Sequence, residues 1–411
     1  MKQISILGLG YVGLPTAAVF ADVGMKVVGV DINAKSVETI NSGRAHIVEP
    51  GLDELLTKVV GNGSLRATTT AEPSDVFVIA VPTPFKEGNA PDLAYIKSAA
   101  GMIAPLIKKG NLVILESTSP VGATEQLAGW IQEARPDLKV PKLDGEEGDI
   151  YLAYCPERIL PGKVIQEVIE NDRVIGGVTA ESSSAAVAFY KNAVKGTCHT
   201  TNARTAELCK LSENSFRDVN IAFANELSMI SAKLGIDVYE LIALTNRHPR
   251  VEILQPGTGV GGHCIAVDPW FIVDSAPKEA RIIRTAREVN DSKPRWVVDQ
   301  IIKLAEDMVQ PVIACMGLAY KPDVDDLRES PAVQAVKVLV DQAIGKIVVC
   351  EPFVDALPAS LDQLGLTLMN ANQACDEADI IVFLTAHGQF RSISAHQLKS
   401  KIVFDACGLT K

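Results

Sequence analysis

The sequence predicts an α/β chain with two doubly wound parallel-sheet domains, joined by a central helical domain that contains a long connecting helix. Three observations carry this. Short apolar, β-branched runs alternate with helical patterns at both ends, strand patterning almost vanishes between about residues 181 and 309, and a Gly-x-Gly-x-x-Gly turn follows the first run. Such alternation indicates parallel strands, because each return to the same edge of a sheet needs a crossover, usually a helix. With 411 residues, 47% of them hydrophobic, the chain exceeds the usual size of one domain and can bury a sizeable core. The expected divisions are 1–180, 181–309 and 310–411.

In the first division the strand runs are ISILGLG, KVVGVDI, VFVIAVPT, LVILEST and, after a polar stretch at 139–149, IYLAYCPE. Helical periodicity then runs through 204–234 and 277–308. Strand patterns return as PVIACMGLAY, KIVVCEP, DIIVFLTAH and KIVFDACG. The two ends read as diverged copies, since Asp75-VFVIAVPT matches Asp379-IIVFLTAH, and LVILEST matches KIVFDAC, in character and in order.

Gly8-Leu-Gly10-Tyr-Val-Gly13 follows a strand, opens a helix and precedes a second strand ending in Asp31. That is the full context of a dinucleotide turn: glycines for a tight bend and close backbone approach, pyrophosphate on the helix N-terminus, and an acid for the ribose hydroxyls. An acid there repels a 2′-phosphate, so the expected cofactor is NAD. Both terminal domains are therefore expected to be Rossmann-like. The second copy lacks the fingerprint, which suits it to a different nucleotide.

Gln255-PGTGVGGHCIAVDP-Trp270 places glycines at 257, 259, 261 and 262 directly before His263 and Cys264. Such backbone freedom suits a loop lying against a ligand. A cysteine there can add to an aldehyde, giving a hemithioacetal whose oxidation yields a thioester. A buried core thiol is the commoner fate of an unbridged cysteine, but the glycine loop and nearby Asp268 favour the reactive reading. A zinc pair from His263 and Cys264 is disfavoured, because adjacent residues do not readily share one ion and no second pair appears.

In RTAELCKLSENSFRDVNIAFANEL, Leu208, Leu211, Val219, Ala222 and Phe223 are expected on one helical face, with Glu207, Lys210, Asn214 and Arg217 opposite. A polar stripe is by default a solvated surface. The alternative is that Lys210 and Asn214, one turn apart, enter a cleft to handle an alcohol proton and an oxyanion. His248-Pro-Arg250 and Lys321-PDVDDLR-Glu329 offer groups that could grip phosphate.

The formal net charge of −11 gives no general field for a nucleic-acid backbone or an anionic membrane, so neither is an expected partner. Eight scattered cysteines without a Cys-x-x-Cys pair read as reduced thiols of a cytoplasmic protein. The amino-terminal apolar run mimics a signal peptide, but Gly8, Gly10 and Gly13 break it at a strand-to-helix turn.

With these residues in place, the chain resembles the UDP-glucose/GDP-mannose dehydrogenase family over essentially its whole length. GLGYVGLP, VPTP, ESTSPVG, CPER, KLSENSFRDVNIAFANEL, GVGGHCIAVDP, GLAYKPDVDDLRES and VFDACG occur in the family's order. The glucose-oxidising branch usually reads P-E-F-L-x-E-G where this chain has Pro156-Glu157-Arg158-Ile159-Leu160-Pro161-Gly162, so the second acid is absent. AYCPERILPGK and NRHPRVEILQPGTGVGGHC instead resemble the branch that oxidises UDP-N-acetyl-D-mannosamine for bacterial surface polysaccharides.

The resemblance implies a four-electron oxidation at C6 with two NAD per sugar. It makes Cys264 the nucleophile, Lys210 the acid/base and oxyanion group, Asn214 and Asp268 holders of water and charge, and Glu157 an aid to thioester hydrolysis. Tyr11, Val12, Asp31, Thr83, Thr124 and Arg328 would contact NAD beside the three glycines. Arg158, Ile159, Lys210, Asn214, Arg217, Gly261, Tyr320 and Lys321 would hold the UDP-sugar. His248 and Arg250 would reach it from a neighbouring subunit, so a homo-oligomer, at least a dimer, is expected. Three rivals stay in view: the same oxidation of UDP-N-acetylglucosamine (or UDP-glucose), a two-electron hydroxyacid or polyol dehydrogenase, which needs no thiol, and a non-catalytic NAD-binding protein, which would be expected to have lost Cys264 or Lys210.

Overall fold

The computed structural model describes residues 3–143, 145–159, 162–262 and 264–410. It divides into two compact units, Met1–Glu213 and Asn214–Lys411. The division falls within one 32-residue helix, Ala203–Leu234.

The first unit holds strands β1 (Gln3–Leu7), β2 (Lys26–Val30), β3 (Leu65–Thr68), β4 (Val76–Ile79), β5 (Leu112–Leu115), β6 (Tyr151–Tyr154), β7 (Arg173–Gly177) and β8 (Cys198–Asn202). They form one sheet in the order β3-β2-β1-β4-β5-β6-β7-β8, parallel except for the antiparallel pair β6–β7. Alternate side chains fill two cores, one on each face. Val76 and Val78 pack in one, Phe77 and Ile79 in the other. The five apolar runs of the sequence are β1, β2, β4, β5 and β6. The polar, largely exposed edge strand β8 (CHTTN) gave no apolar signal, and it extends the sheet beyond residue 180.

The second unit contains helices Val238–Thr245, Asp268–Ser275 and Arg281–Leu304, followed by β9 (Val312–Met316), β10 (Lys346–Cys350), β11 (Thr367–Leu368), β12 (Ile380–Phe383) and β13 (Ile402–Asp405). These strands form a wholly parallel sheet ordered β11-β10-β9-β12-β13, the order of the first five strands of the other sheet.

The likeness between the copies extends to individual hydrogen bonds. Asp75 and Asp379 open β4 and β12, and their carboxylates accept from the N–H of Gln3 (3.0 Å) and Val312 (2.8 Å). Gly8 donates to the Val30 carbonyl and Gly317 to that of Cys350, both at 2.8 Å. After the second strand, Asp31 accepts from Leu9 N (3.0 Å) and Asn33 N (2.9 Å). Glu351 does the same with Leu318 N (2.7 Å), Ala319 N (3.0 Å) and Phe353 N (3.1 Å). The copies differ above the acid. Asp31 is half-buried, whereas Glu351 is covered by the fully buried His387, whose Nε2 lies 3.0 Å from Glu351 Oε2.

The faces of Ala203–Leu234 depart from expectation. Leu208 and Phe223 are exposed, while Glu207, Asn214, Asp218, Asn225 and Ser228 are buried. The reason is that these polar groups have buried partners. Asp218 takes Arg287 Nη1 at 2.6 Å, and Ser228 Oγ accepts from the Lys293 ammonium, also at 2.6 Å. Phe216, Phe223 and Ile230, seven residues apart, form an exposed apolar stripe instead.

Burial holds the Lys293 amine down at about 7, against an ordinary 10.5, without a carboxylate to compensate. The folded state therefore binds this proton more weakly than the unfolded chain. The cost is full below about pH 7 and fades as pH rises toward 10.5, with a ceiling of about 5 kcal/mol. Lys293→Met is expected to raise the urea midpoint clearly at pH 6 and little at pH 10. Equal gains at both would show that the ammonium is not the cost.

No helix among the described residues is long and apolar enough to cross a membrane.

Candidate active site

The turn after β1 fits a dinucleotide. Gly8 has φ +89°, and a Cβ there would lie 2.6 Å from the Ala80 carbonyl oxygen; one on Gly13 would lie 1.8 Å from that of Gly8. Neither position tolerates a side chain. Gly10 is exposed with nothing within 4 Å of a Cβ, so its backbone is bare toward solvent, where a pyrophosphate can approach. Tyr11 is exposed, Val12 and Asp31 are half-buried, and the hydroxyl of Thr83 is a buried polar atom with no partner among the described residues. A bound ligand would satisfy it.

Thr124 is committed elsewhere. Its N–H and hydroxyl donate to Glu207 Oε1 at 2.8 and 2.6 Å, and Gly122 N donates to Oε2 at 2.6 Å. Glu207 thus caps the N-terminus of the helix Ala123–Ala134 with a carboxylate, which is what that end of a helix favours. Burial raises the Glu207 carboxyl above its usual range against these three donors.

Glu157 lies in a buried charge cluster. Arg173 Nη1 reaches its Oε2 at 2.5 Å, and Arg158 N donates to its Oε1 at 2.8 Å. Glu116, fully buried nearby, accepts from the Tyr190 hydroxyl at 2.8 Å and lies 3.9 Å from the same Arg173 nitrogen. Two carboxylates share one guanidinium, so burial first and Glu157 second push Glu116 up to about 7. Arg158 pairs with Glu213 at 2.8 Å, and Ile159 packs against the first core. Arg173 and Tyr190 belong to no motif and were not anticipated; Glu116 lies inside ESTSPVG but was not assigned a role.

In the second unit, Cys264 is exposed, and its carbonyl accepts from Val267 N (3.0 Å) and Asp268 N (2.8 Å) at the start of the helix Asp268–Ser275. Asp268 is buried, and Asn214 Nδ2 donates to its Oδ2 at 2.6 Å. A Cβ on Gly261 would lie 2.4 Å from the Glu329 carbonyl oxygen, and one on Gly262 would lie 2.8 Å from the Tyr320 ring. The loop is therefore seated against the segment that carries Tyr320 and Lys321, whose ammonium is 5.7 Å from the Tyr320 ring centroid. Cys264, Asp268, Asn214, Gly261, Tyr320 and Lys321 thus belong to one contiguous neighbourhood.

Lys210 is half-buried one helical turn before Asn214; Arg217 is exposed. Arg328 is exposed and forked onto Asp326 at 2.8 and 2.9 Å. His248 and Arg250 are exposed on a loop closed by Asn246, which accepts from Ile253 N (2.8 Å) and donates to its carbonyl (3.0 Å). His263 lies outside the described residues. Among the described residues no group of three His, Cys, Asp or Glu could hold a metal ion.

Comparison with known proteins covers nearly the whole chain. Residues 2–194, 204–292 and 314–411 match the NAD binding, central and UDP binding domains of the UDP-glucose/GDP-mannose dehydrogenase family. The chain is 58% identical over 408 residues to an NDP-N-acetyl-D-galactosaminuronic acid dehydrogenase of Ralstonia nicotianae, covering 99% of this chain and 96% of that one. It is 56% identical to the UDP-N-acetyl-D-mannosamine dehydrogenase of Yersinia pestis, covering 99% of each. Among solved structures, that of UDP-D-ManNAc dehydrogenase from Pyrococcus horikoshii superposes with a TM-score of 0.91 at 38% identity, covering 100% of this chain and 96% of that one.

Proposed function

Since the chain belongs to the UDP-glucose/GDP-mannose dehydrogenase family, NAD-dependent oxidoreductases acting on nucleotide sugars, we propose that it oxidises C6 of UDP-N-acetyl-D-mannosamine to the carboxylate through a covalent intermediate on Cys264. The observation that carries this reading is the exposed Cys264 at the end of a tightly seated glycine loop, beside the buried Asn214–Asp268 pair.

Bound NAD supplies the hydride acceptor, twice per sugar. The chain's own residues do the rest. The Lys210 ammonium takes up the charge that develops on the C6 oxygen as the alcohol loses its proton. The Cys264 thiol adds to the resulting aldehyde, forming the C–S bond of a hemithioacetal; loss of the remaining C6 hydride together with the hydroxyl proton leaves a thioester. Water, ordered by Asn214 and Asp268 and assisted by Glu157, adds to the acyl carbon and expels the thiolate. In balance, one alcohol, two NAD and one water give one carboxylate, two NADH and three protons.

The 58% identity to the galactosaminuronate enzyme supports a second reading, with an N-acetylgalactosamine nucleotide as substrate. The exposed Phe216, Phe223 and Ile230 stripe supports a homo-oligomer, at least a dimer, in which His248 and Arg250 reach a neighbouring active site. We place the reaction in the cytoplasm, where it supplies surface polysaccharide synthesis.

NADH formed per sugar decides among these readings. UDP-N-acetylmannosamine, UDP-N-acetylgalactosamine, UDP-N-acetylglucosamine and UDP-glucose would each be offered with excess NAD. Two equivalents from the first alone is the expected result. Two from UDP-N-acetylgalactosamine would move the assignment to the second reading, and two from either remaining sugar would overturn the substrate. One equivalent would overturn the thioester, and none from any sugar would overturn the function.

A further inference from the structure

We propose that Asn225 is a positioning residue for the nucleophile loop and that Asn290 locks it in the required orientation; this rests on Cys264 being the nucleophile, as proposed above.

Residues 255–262 have no helix or strand of their own, and four of them are glycines, so external bonds must fix their path. The loop is caught at its entrance. Gly257 N donates to Oδ1 of the fully buried Asn225 at 2.9 Å, and Thr258 Oγ1 donates to the Leu384 carbonyl at 2.7 Å. Gly259 follows, where a Cβ would lie 3.2 Å from the Asn290 carbonyl oxygen and 2.8 Å from Pro331.

The amide of Asn225 has a defined direction. Its Nδ2 donates to Asn290 Oδ1 at 2.9 Å, and Asn290 Nδ2 donates to Asp218 Oδ1 (2.8 Å) and to the Asp218 carbonyl (3.1 Å). Asp218 Oδ1 also takes Arg287 Nη1 at 2.6 Å. Turning Asn290 over would set its oxygen against two acceptors. Turning Asn225 over would set its NH₂ against the Gly257 N–H. Only one assignment sets both amide groups against complementary partners, so Arg287 and Asp218 orient Asn290, Asn290 orients Asn225, and Asn225 presents its oxygen to the loop. The side chains of Asn225, Asn290, Asp218 and Arg287 are all buried and Gly257 is half-buried, so water does not freely replace a partner lost within the relay.

The relay acts on catalysis through the loop. A thiol must come within about 3–3.5 Å of the carbon it attacks, and a displacement of about 1 Å can cost 10²-fold in rate. Asn225 touches neither substrate nor cofactor in this scheme; it holds the strand of backbone that delivers Cys264.

The test uses Asn225→Ala, which removes the acceptor, and Asn290→Ala, which keeps it but frees Asn225 to turn. Expected results are a kcat lower by roughly 10- to 100-fold for the first and by about tenfold or less for the second, each with the KM for NAD within about twofold. Hydrogen exchange of the peptide covering 255–264, measured without substrate, should be about tenfold faster at Gly257 in Asn225→Ala, with the helices Ala203–Leu234 and Arg281–Leu304 protected as before. A kcat within twofold of wild type for both variants would overturn the proposal. So would faster exchange spread along both helices, since that marks a general loss of packing. If wild type turns over no sugar nucleotide, the functional reading fails on its own. Exchange confined to the loop would then still support the positioning role, and unchanged exchange would overturn it.

Discussion

Cys264→Ser is expected to cut NADH formation from the sugar nucleotide by about 10³-fold or more, while affinity for NAD stays within about twofold of wild type. The substitution exchanges Sγ for Oγ at an exposed position, so stability should move by no more than about 0.5 kcal/mol. The substitution leaves Gly8, Gly10, Gly13 and Asp31 of the dinucleotide turn unchanged. The chemistry changes instead. A serine hydroxyl ionises far less readily than a thiol and adds poorly to an aldehyde, so the first hydride transfer can proceed but the carbonyl is not captured for the second. Turnover with each sugar nucleotide, NAD titration by fluorescence quenching and a melting curve test the three parts separately. Wild-type turnover would remove the covalent scheme.

Lys210→Ala should be the next most damaging change, lowering kcat by about 10²- to 10³-fold, the size expected when one preorganised donor to a developing oxyanion is removed. Lys210 is half-buried on a helix whose neighbouring turns are anchored by Glu207 and Leu211, both fully buried, so truncation should leave the helix in place. The effect should appear in kcat more than in the KM for the sugar nucleotide, because the charge it meets exists only as the reaction proceeds. Lys210→Arg should recover only part of the loss: a planar fork does not deliver its charge to the point that a compact ammonium reaches. A kcat within tenfold of wild type for the alanine variant would remove Lys210 from the acid/base role.

Much of the architecture was legible in the sequence because buried parallel strands are written as unbroken apolar runs. VFVIAVPT and DIIVFLTAH could be read directly, and so could their likeness. β8 could not, since CHTTN at a sheet edge has the composition of a loop. The long helix failed for a different reason. Amphipathic reading assumes that water takes the polar side, yet here Glu207, Asp218, Asn225 and Ser228 are inside because Thr124, Arg287, Asn290 and Lys293 meet them from far along the chain. Nothing local to either segment encodes that meeting. In the candidate site, Cys264, Asp268 and the glycines were legible as a motif, and the Asn214–Asp268 contact joins two residues named separately. The charge cluster around Glu157 was invisible, because Arg173 and Tyr190 lie in segments with no motif.

Glu351 shows what the acid at the end of the second strand does when a buried histidine lies over it. It fastens the first turn of the sheet to the second strand, as Asp31 does, and His387 closes over it. Because both sheets carry it, the fastening belongs to the frame, and an acid at this position points to dinucleotide recognition only together with the glycine turn beside it. In the second sheet the buried His387 imidazole covers the carboxylate, whereas Asp31 in the first stays only half-buried. The same latch is thus left partly open in one sheet and closed over by one side chain in the other, with the strand order beneath it unchanged.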